Sequence, residues 1–262
     1  MSGSAATPLA GRGIVITRPA HQADTLAEAV RARGGRAILF PTIEIVAPRD
    51  LQPFFTVVDQ LEEFDLAVFV SPNAVTRAFD LALGRRCLPA RLTIAAIGDA
   101  TVSALEQRGV REIIAPAHSF DSEALLALPA FHRLAGKRVA IFRGQGGREL
   151  LGETLTARGA QMQYAECYRR AVPALSPAPL HDAWARGALH AVVATSTIGL
   201  RNLVGMVGDA VAAKLKATPL FVPHPRIAGN ASEQGFSEVI ITGAGDEGIV
   251  DSLCAYFGRR AT

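Results

Sequence analysis

The sequence predicts an α/β protein of two similar lobes, each a parallel sheet with helices on both faces. Segments of the first half return in the second half at an offset of about 125 residues. Each returning unit has the same order: a short apolar strand, a polar or glycine-containing turn, and a helix of period 3.6. The 262 residues, 49% of them hydrophobic and 19% charged, suffice for two separate apolar cores. Two such lobes facing each other would enclose a cleft for a ligand too large for one.

The repeat covers strands from the beginning to the end of each half. The matching pairs are residues 14–18 and 139–143, 65–71 and 190–196, and, after one inserted residue, 112–114 and 238–240. Strands are predicted at 13–17, 37–40, 65–70, 93–97, 111–115, 138–142, 161–165, 190–195, 219–222 and 238–242. Helices are predicted at 21–33, 50–62, 72–83, 99–108, 121–128, 147–158, 178–186, 197–207, 209–216, 226–234 and 246–257.

Several helices end in a recognisable stop signal. An arginine followed by Gly34, Gly109 or Gly159 places a cation on the last turn and a glycine at the left-handed closing position. Two proline-bounded extended stretches, residues 41–48 and 166–173, are copies of each other and break the strand-turn-helix order. We expect them to connect the lobes and to pair as a ladder, whether the lobes are consecutive or exchanged along the chain.

Composition excludes several classes of function. The net charge is only +3 and the basic residues are scattered, so nucleic-acid binding is not expected. The first residues do not resemble a secretory signal and no apolar run approaches a membrane span, so we expect a cytoplasmic protein without membrane contact. Cys87, Cys167 and Cys254 have no metal-ligand or disulfide spacing, and no metal is expected. No spare apolar stripe is evident, which favours a monomer.

Two glycine-rich turns are candidates for binding a nucleotide or an anion. Residues 243–248 read GxGxxG after a strand, but the chain ends before a dinucleotide-binding unit could be completed, so we expect a plain turn and no cofactor. Residues 143–148, RGQGGR, offer backbone N–H groups at a helix start between Arg143 and Arg148. Gly144 and Gly147 in this turn suit either a carboxylate or phosphate nest or a simple tight turn.

Polar and glycine residues also occur at the other turns where a strand ends and a helix begins. Serine, threonine and asparagine at such positions are often ordinary helix N-caps, each worth about 1 kcal/mol. Their number favours a second role, because in a parallel sheet all these turns lie at the carboxyl edge, where open α/β folds bind ligands. The candidate ligand-binding residues are Arg18, Ser71, Asn73, Gly98, Thr101, Ser196, Thr197, His224 and Arg226.

Catalytic motifs are scarce. No nucleophile elbow, zinc-binding helix or carboxylate pair is present, and the histidines are isolated. Tyr168 stands in the second connecting stretch, where a phenol would face the cleft. Its hydroxyl could donate a proton or hold a leaving group, and packing alone explains the residue almost as well.

Taken in order, these segments resemble the uroporphyrinogen-III synthase family along almost the whole chain. The resemblance rests on residues 11–46, FVSPNAV at 69–75, residues 94–109, residues 141–160, Tyr168, and VPHPRIAG at 222–229. It implies two flavodoxin-like lobes joined by a two-stranded ladder hinge, with the lobes exchanged. Residues 1–43 and 172–262 would then form one lobe, residues 47–167 the other, and residues 43–47 and 167–172 the ladder.

The resemblance also implies an activity. Such enzymes are lyases of tetrapyrrole biosynthesis that cyclise hydroxymethylbilane to uroporphyrinogen III, inverting ring D and losing water, without a cofactor. Tyr168 would assist departure of the hydroxyl, and the arginines and helix-start residues would hold the substrate carboxylates. Some members carry a Thr-Thr pair where this chain has Arg226 and Ile227, so Arg226 would have to replace those hydroxyls electrostatically. The alternative is a non-catalytic two-lobe module that binds or senses an anionic metabolite.

Overall fold

A computed structural model describes residues 7–118, 121–147 and 149–259 of the chain. The chain divides into two compact units. The first unit consists of Met1–Glu44 and Ala171–Thr262, and the second unit of Ile45–Arg170. Each unit has its own sheet, and the chain leaves and re-enters the first unit once.

The strands and helices alternate along the described chain. The strands are β1 (Gly13–Ile16), β2 (Arg36–Leu39), β3 (Glu44–Val46), β4 (Leu66–Phe69), β5 (Thr93–Ala96), β6 (Ile113–Ile114), β7 (Arg138–Gly144), β8 (Gln161–Ala171), β9 (Ala191–Val193), β10 (Leu220–Val222) and β11 (Val239–Ile241). The helices are α1 (Asp24–Ala32), α2 (Gln52–Asp59), α3 (Pro72–Leu81), α4 (Asp99–Glu106), α5 (Ser122–Leu126), α6 (Leu150–Ala157), α7 (Ala178–Ala185), α8 (Thr197–Val207), α9 (Asp209–Ala217), α10 (Pro225–Glu233) and α11 (Gly245–Gly258).

The sheet of the first unit has the order β2-β1-β9-β10-β11, and every adjacent pair is parallel. Counted along the chain, this is the 2-1-3-4-5 order of flavodoxin-like folds. Successive residues of its strands face opposite apolar layers. Val15 and Val192 belong to one buried cluster, and Ile14 and Val193 to the other.

The sheet of the second unit has the order β3-β8-β7-β4-β5-β6. Strands β8, β7, β4, β5 and β6 run parallel to one another, and β3 lies beside β8 at one edge of the sheet. Repeat-related strands occupy equivalent positions in the two sheets when β3 is not counted. Counted from β2 in the first sheet and from β8 in the second, β1 and β7 are second, β9 and β4 are third, and β11 and β6 are last. Phe69 and Phe142 stack at 4.6 Å between ring centroids in its core.

The structure confirms the expected α/β fold with parallel sheets, and the differences lie at element ends. The sequence predicts that β8 stops at residue 165, but the strand continues to Ala171; its pairing with β7 extends to Tyr168, and β3 is its neighbour on the other side. The helix predicted over 50–62 ends at Asp59 and is followed by a separate 3₁₀ turn, Leu61–Glu63. The predicted closing glycines are confirmed, since Gly34, Gly109 and Gly159 have φ of 85°, 86° and 83°.

Candidate functional site

The carboxyl edge of the first sheet carries a cavity of about 560 Å³. It lies where α8 follows β9 and where α10 follows β10. Ser196 caps α8 by accepting the Gly199 N–H at 3.0 Å, and His224 caps α10 by accepting the Arg226 N–H on Nδ1 at 3.1 Å. The lining residues are Thr195, Ser196, Thr197, Ile198, Arg226, Ile227, Gly229, Asn230 and Glu233.

This cavity can bind a ligand that carries a carboxylate on an apolar group. The N-terminus of α8, the hydroxyl of Thr197 and the exposed guanidinium of Arg226 are suited to a carboxylate. At α10 the backbone donors are already used, because Pro225 has no N–H and the Arg226 N–H is bound to His224. Ile198 is 50% exposed and supplies an apolar surface beside them. Of the residues predicted from the sequence, the structure therefore brings Ser196, Thr197 and Arg226 together, with His224 adjacent as the cap.

Arg18 does not join this cavity as a free cation. It follows β1 and forms an ion pair with Asp246 in the first turn of α11, and both side chains are largely covered. The sequence did not predict this partner because the two residues lie far apart in the chain. In the adjacent GxGxxG segment, Gly243 and Gly248 pack closely, and a Cβ on Gly248 would lie 2.4 Å from the Gly243 carbonyl carbon.

In the second unit, Ser71 and Asn73 lie at the start of α3, directly after β4. The Ser71 Oγ accepts the Ala74 N–H at 3.1 Å, and the same oxygen lies 3.2 Å from the hydroxyl of Tyr168. Asn73 is half-buried in the first helical turn. The predicted N-cap is therefore confirmed, and it has a tyrosine partner that spacing could not reveal.

Tyr168 is less accessible than expected. Its side chain is 2% exposed, and a Cβ on Gly144 would lie 2.5 Å from its ring carbons. The ring therefore packs against bare backbone, and its hydroxyl reaches Ser71 and, at 3.5 Å, Arg170. In this conformation the phenol is enclosed by the second unit, where Gly144 leaves room for the ring.

Gly98 and Thr101 lie at the start of α4, after β5. Gly98 is the N-cap, has extended backbone, and accepts the Thr101 N–H at 2.8 Å. Thr101 is only 4% exposed. Its hydroxyl is therefore covered in this structure, which leaves the backbone as the route for the predicted carboxylate contact.

Arg143 is also placed differently from the prediction. Its side chain is 4% exposed and makes a two-pronged ion pair with Glu149, with N–O distances of 3.2 and 3.4 Å. The guanidinium lies 4.4 Å from the centre of the Tyr164 ring, and Nε donates to the Gly144 carbonyl oxygen at 3.2 Å. Arg143 is thus neutralised and covered rather than free to bind a carboxylate. Arg148 lies outside the described residues.

The glycine-rich turn itself remains open. Gly146 and Gly147 are exposed, and Gly146 has a φ of 69°. The described residues supply no hydrogen-bond acceptor for either amide, whereas the Gln145 N–H donates to the Tyr168 carbonyl oxygen at 2.8 Å. The turn can therefore offer backbone donors to an anion.

Glu149 links the turn to Tyr164, whose hydroxyl donates to Glu149 Oε2 at 2.6 Å. This bond, followed by the bond from Arg143, lowers the pKa of the Glu149 carboxyl below its usual value. Burial, and then the bond to Glu149, raise the pKa of Tyr164 to about 12. Sequence reasoning missed Glu149 and Tyr164, although the helix glycine at Gly152 was a signal, because a Cβ there would lie 2.1 Å from the Tyr164 hydroxyl oxygen.

Neither a metal centre nor a membrane span is found in the described ranges. No three His, Cys, Asp or Glu side chains of those ranges lie together as candidate metal ligands. No helix of the same ranges is long and apolar enough to cross a membrane.

Comparison with known proteins gives one family. The profile described as uroporphyrinogen-III synthase HemD matches residues 24–251. The chain is 37% identical to the uroporphyrinogen-III synthase of Salmonella typhimurium over 235 residues, which are 89% of this chain and 96% of that protein. It is 34% identical to the uroporphyrinogen-III synthase of Escherichia coli over 235 residues, with the same coverage of both chains.

Solved structures with the same fold carry the same description. A mutant uroporphyrinogen III synthase from the bacterium Thermus thermophilus has a TM-score of 0.59 at 18% identity, covering 95% of this chain and 98% of that one. The uroporphyrinogen-III synthetase of Helicobacter pylori has a TM-score of 0.58 at 15% identity, covering 96% and 100%. At these identities the likeness concerns the fold.

Proposed function

The chain belongs to the uroporphyrinogen-III synthase family, and from this premise we propose how its carboxyl edges carry out the reaction. The activity is the cyclisation of hydroxymethylbilane to uroporphyrinogen III in tetrapyrrole biosynthesis. The substrate is a flexible polycarboxylate, so the enzyme must bind several anionic groups and hold the chain in a curled shape.

The cavity between α8 and α10 is the observation that carries the proposal. It combines the N-terminus of α8, the Thr197 hydroxyl and the Arg226 guanidinium around a space of about 560 Å³. A carboxylate there would meet preorganised donors, and Ile198 would contact the adjoining pyrrole. We assign Ser196 and His224 to the shaping of this pocket, because their side-chain acceptors are already used by the helix caps.

Turns of the second unit would bind further carboxylates. The exposed amides of Gly146 and Gly147 and the helix start at Ser71 and Asn73 are the proposed contacts. Gly98 would contribute backbone donors of α4 in the same way. Both units are thus proposed to take part in binding one substrate molecule, with the chain connections near residues 44 and 171 acting as the hinge.

Tyr168 is the proposed catalytic residue. Departure of the substrate hydroxyl as water requires a proton and leaves an electrophilic azafulvene. Attack by the substituted carbon of ring D then gives a spiro intermediate, which fragments and recloses with the ring inverted. We assign the phenol of Tyr168 as the proton donor. Its contacts with Ser71 and Arg170 support this role, because they fix the orientation of the hydroxyl group. Because the phenol is buried, the proposal requires that substrate binding opens access to it.

Turnover of hydroxymethylbilane tests the proposal. The purified protein should convert it to uroporphyrinogen III, detected after oxidation and separation of the porphyrin isomers. Formation of only the type I isomer at the uncatalysed rate would instead favour a binding or sensing module. We further propose that the enzyme works as a cytoplasmic monomer, supported by the small number of large apolar residues that are exposed in the described ranges: Leu39, Val172, Leu175, Ile198 and Ile241.

A further inference from the structure

Arg143, Glu149 and Tyr164 surround the glycine-rich turn without being needed as substrate ligands. Arg143 belongs to β7, Glu149 precedes α6, and Tyr164 belongs to β8. The Arg143 guanidinium bonds Glu149 with two nitrogens and the Gly144 carbonyl with the third. These bonds join the end of β7 at Gly144 to Glu149 before α6, on either side of the exposed Gly146 and Gly147.

Two glycines show that the arrangement is closely packed. A Cβ on Gly147 would lie 2.7 Å from an Arg143 guanidinium nitrogen, so the guanidinium lies directly against the exposed part of the turn. A Cβ on Gly152 would lie 2.1 Å from the Tyr164 hydroxyl oxygen, so the phenol crosses α6 where the helix has no side chain. A helix interior ordinarily favours alanine over glycine by about 1 kcal/mol. Gly152 is therefore explained by the path of Tyr164 to Glu149.

We propose that Arg143, Glu149 and Tyr164 form a clamp that holds the turn in the shape that presents the Gly146 and Gly147 amides to a substrate carboxylate. They are positioning residues, and the inference rests on the proposed function of that turn. The pair joins a buried guanidinium to an exposed carboxylate, and its two directional, charge-assisted bonds fix the geometry between them. Orientation of a bound carboxylate depends on that geometry.

The internal repeat supplies independent support. Arg18 is the counterpart of Arg143, since residues 14–18 match 139–143. Arg18 also forms an ion pair, with Asp246, and Asp246 lies in the other glycine-rich turn at a carboxyl edge. In both units, an arginine at the carboxyl end of a central strand is thus bound to an acidic residue beside a helix start rather than left free.

Mild substitutions test the clamp in the intact enzyme. Glu149→Gln removes the charge, Tyr164→Phe removes the hydroxyl, and Gly152→Ala displaces the phenol by steric contact. Each should raise KM for hydroxymethylbilane at least about threefold and leave kcat within about twofold, because only substrate binding loses an oriented contact. Glu63→Gln is the matched control, since Glu63 pairs with Arg138 at the opposite end of the same strand and should leave both constants unchanged.

A double-variant cycle distinguishes the clamp from independent effects. If Glu149 and Tyr164 act as one device, the KM change of the double variant will be smaller than the product of the single changes. Unchanged KM in correctly folded variants, a fall in kcat alone, or fully multiplicative KM changes would overturn the clamp. Formation of uroporphyrinogen III by the unmodified protein in the same assay separates these outcomes from failure of the proposed function.

Discussion

The hydroxyl oxygen of Tyr168 lies 3.2 Å from the Oγ of Ser71, and the same Oγ caps helix α3. One serine therefore stabilises a helix start at the carboxyl edge and orients the proposed acid. This link couples the stability of α3 to the position of the phenol, so substitutions at the two residues should have different and separable effects.

Tyr168→Phe should reduce kcat at least about tenfold, equivalent to roughly 1.4 kcal/mol of transition-state stabilisation. It should lower the free energy of unfolding by only about 1 kcal/mol, because one buried hydroxyl and its hydrogen bonds are lost. Turnover kinetics and urea unfolding measure the two effects. An unchanged kcat would assign Tyr168 to packing alone.

Ser71→Ala and Ser196→Ala form a matched pair, because the two serines are repeat-related N-caps of α3 and α8. Each should lower the free energy of unfolding by about 1 kcal/mol through loss of the cap. The Ser71 variant should lose more, since it also leaves the buried Tyr168 hydroxyl with one partner fewer. Equal losses in urea unfolding would contradict a stabilising role for the contact between Ser71 and Tyr168.

Arg226→Ala should raise KM for hydroxymethylbilane about fivefold or more, because the cavity of the first unit loses its exposed cation. The rise should shrink as salt is added, since salt already screens this contact in the unmodified enzyme. Arg186→Ala is the control, because Arg186 is exposed in the same unit at the end of α7. Equal KM values for the two variants would remove Arg226 from the substrate site.

The pKa of Tyr164, about 12, predicts its behaviour at alkaline pH. Because this pKa is raised above the ordinary value of 10, the folded state retains the proton longer, and the associated stability is complete below pH 10 and declines as pH rises toward 12. The absorbance of tyrosinate would be titrated in the unmodified protein and in Tyr164→Phe, and the difference between the two curves isolates Tyr164. This difference should show that the Tyr164 phenol is still protonated near pH 11. Ionisation of that phenol near pH 10 would argue against its bond to Glu149.

Periodicity and turn residues predicted the fold well. The strand-turn-helix order needs only local patterns, and the closing glycines such as Gly34 and Gly159 adopt the left-handed conformation that their place after an arginine indicated. The end of β8 was missed because its continuation to Ala171 accompanies pairing with β3, a contact between distant segments.

The sequence predicted which turns begin helices, and it predicted less well what the individual side chains in those turns contact. Helix starts at Ser71, Ser196 and His224 follow from strand ends, which the sequence displays. The ion pairs of Arg18 and Arg143 depend on where distant or flanking acidic residues lie in the folded chain. The sequence alone therefore could not distinguish an arginine that is free to bind a ligand from one that is paired with an acidic residue.

Amide hydrogen exchange with bound product tests the central claim that the carboxyl edges bind the tetrapyrrole. Exchange would be measured under anaerobic conditions with and without uroporphyrinogen III. We predict slower exchange at the start of α8 and at Gly146 and Gly147, whose N–H groups would meet carboxylates. Protection confined to the opposite edge, around Gly11 and Gly34, or no protection at a saturating concentration of product, would contradict the claim.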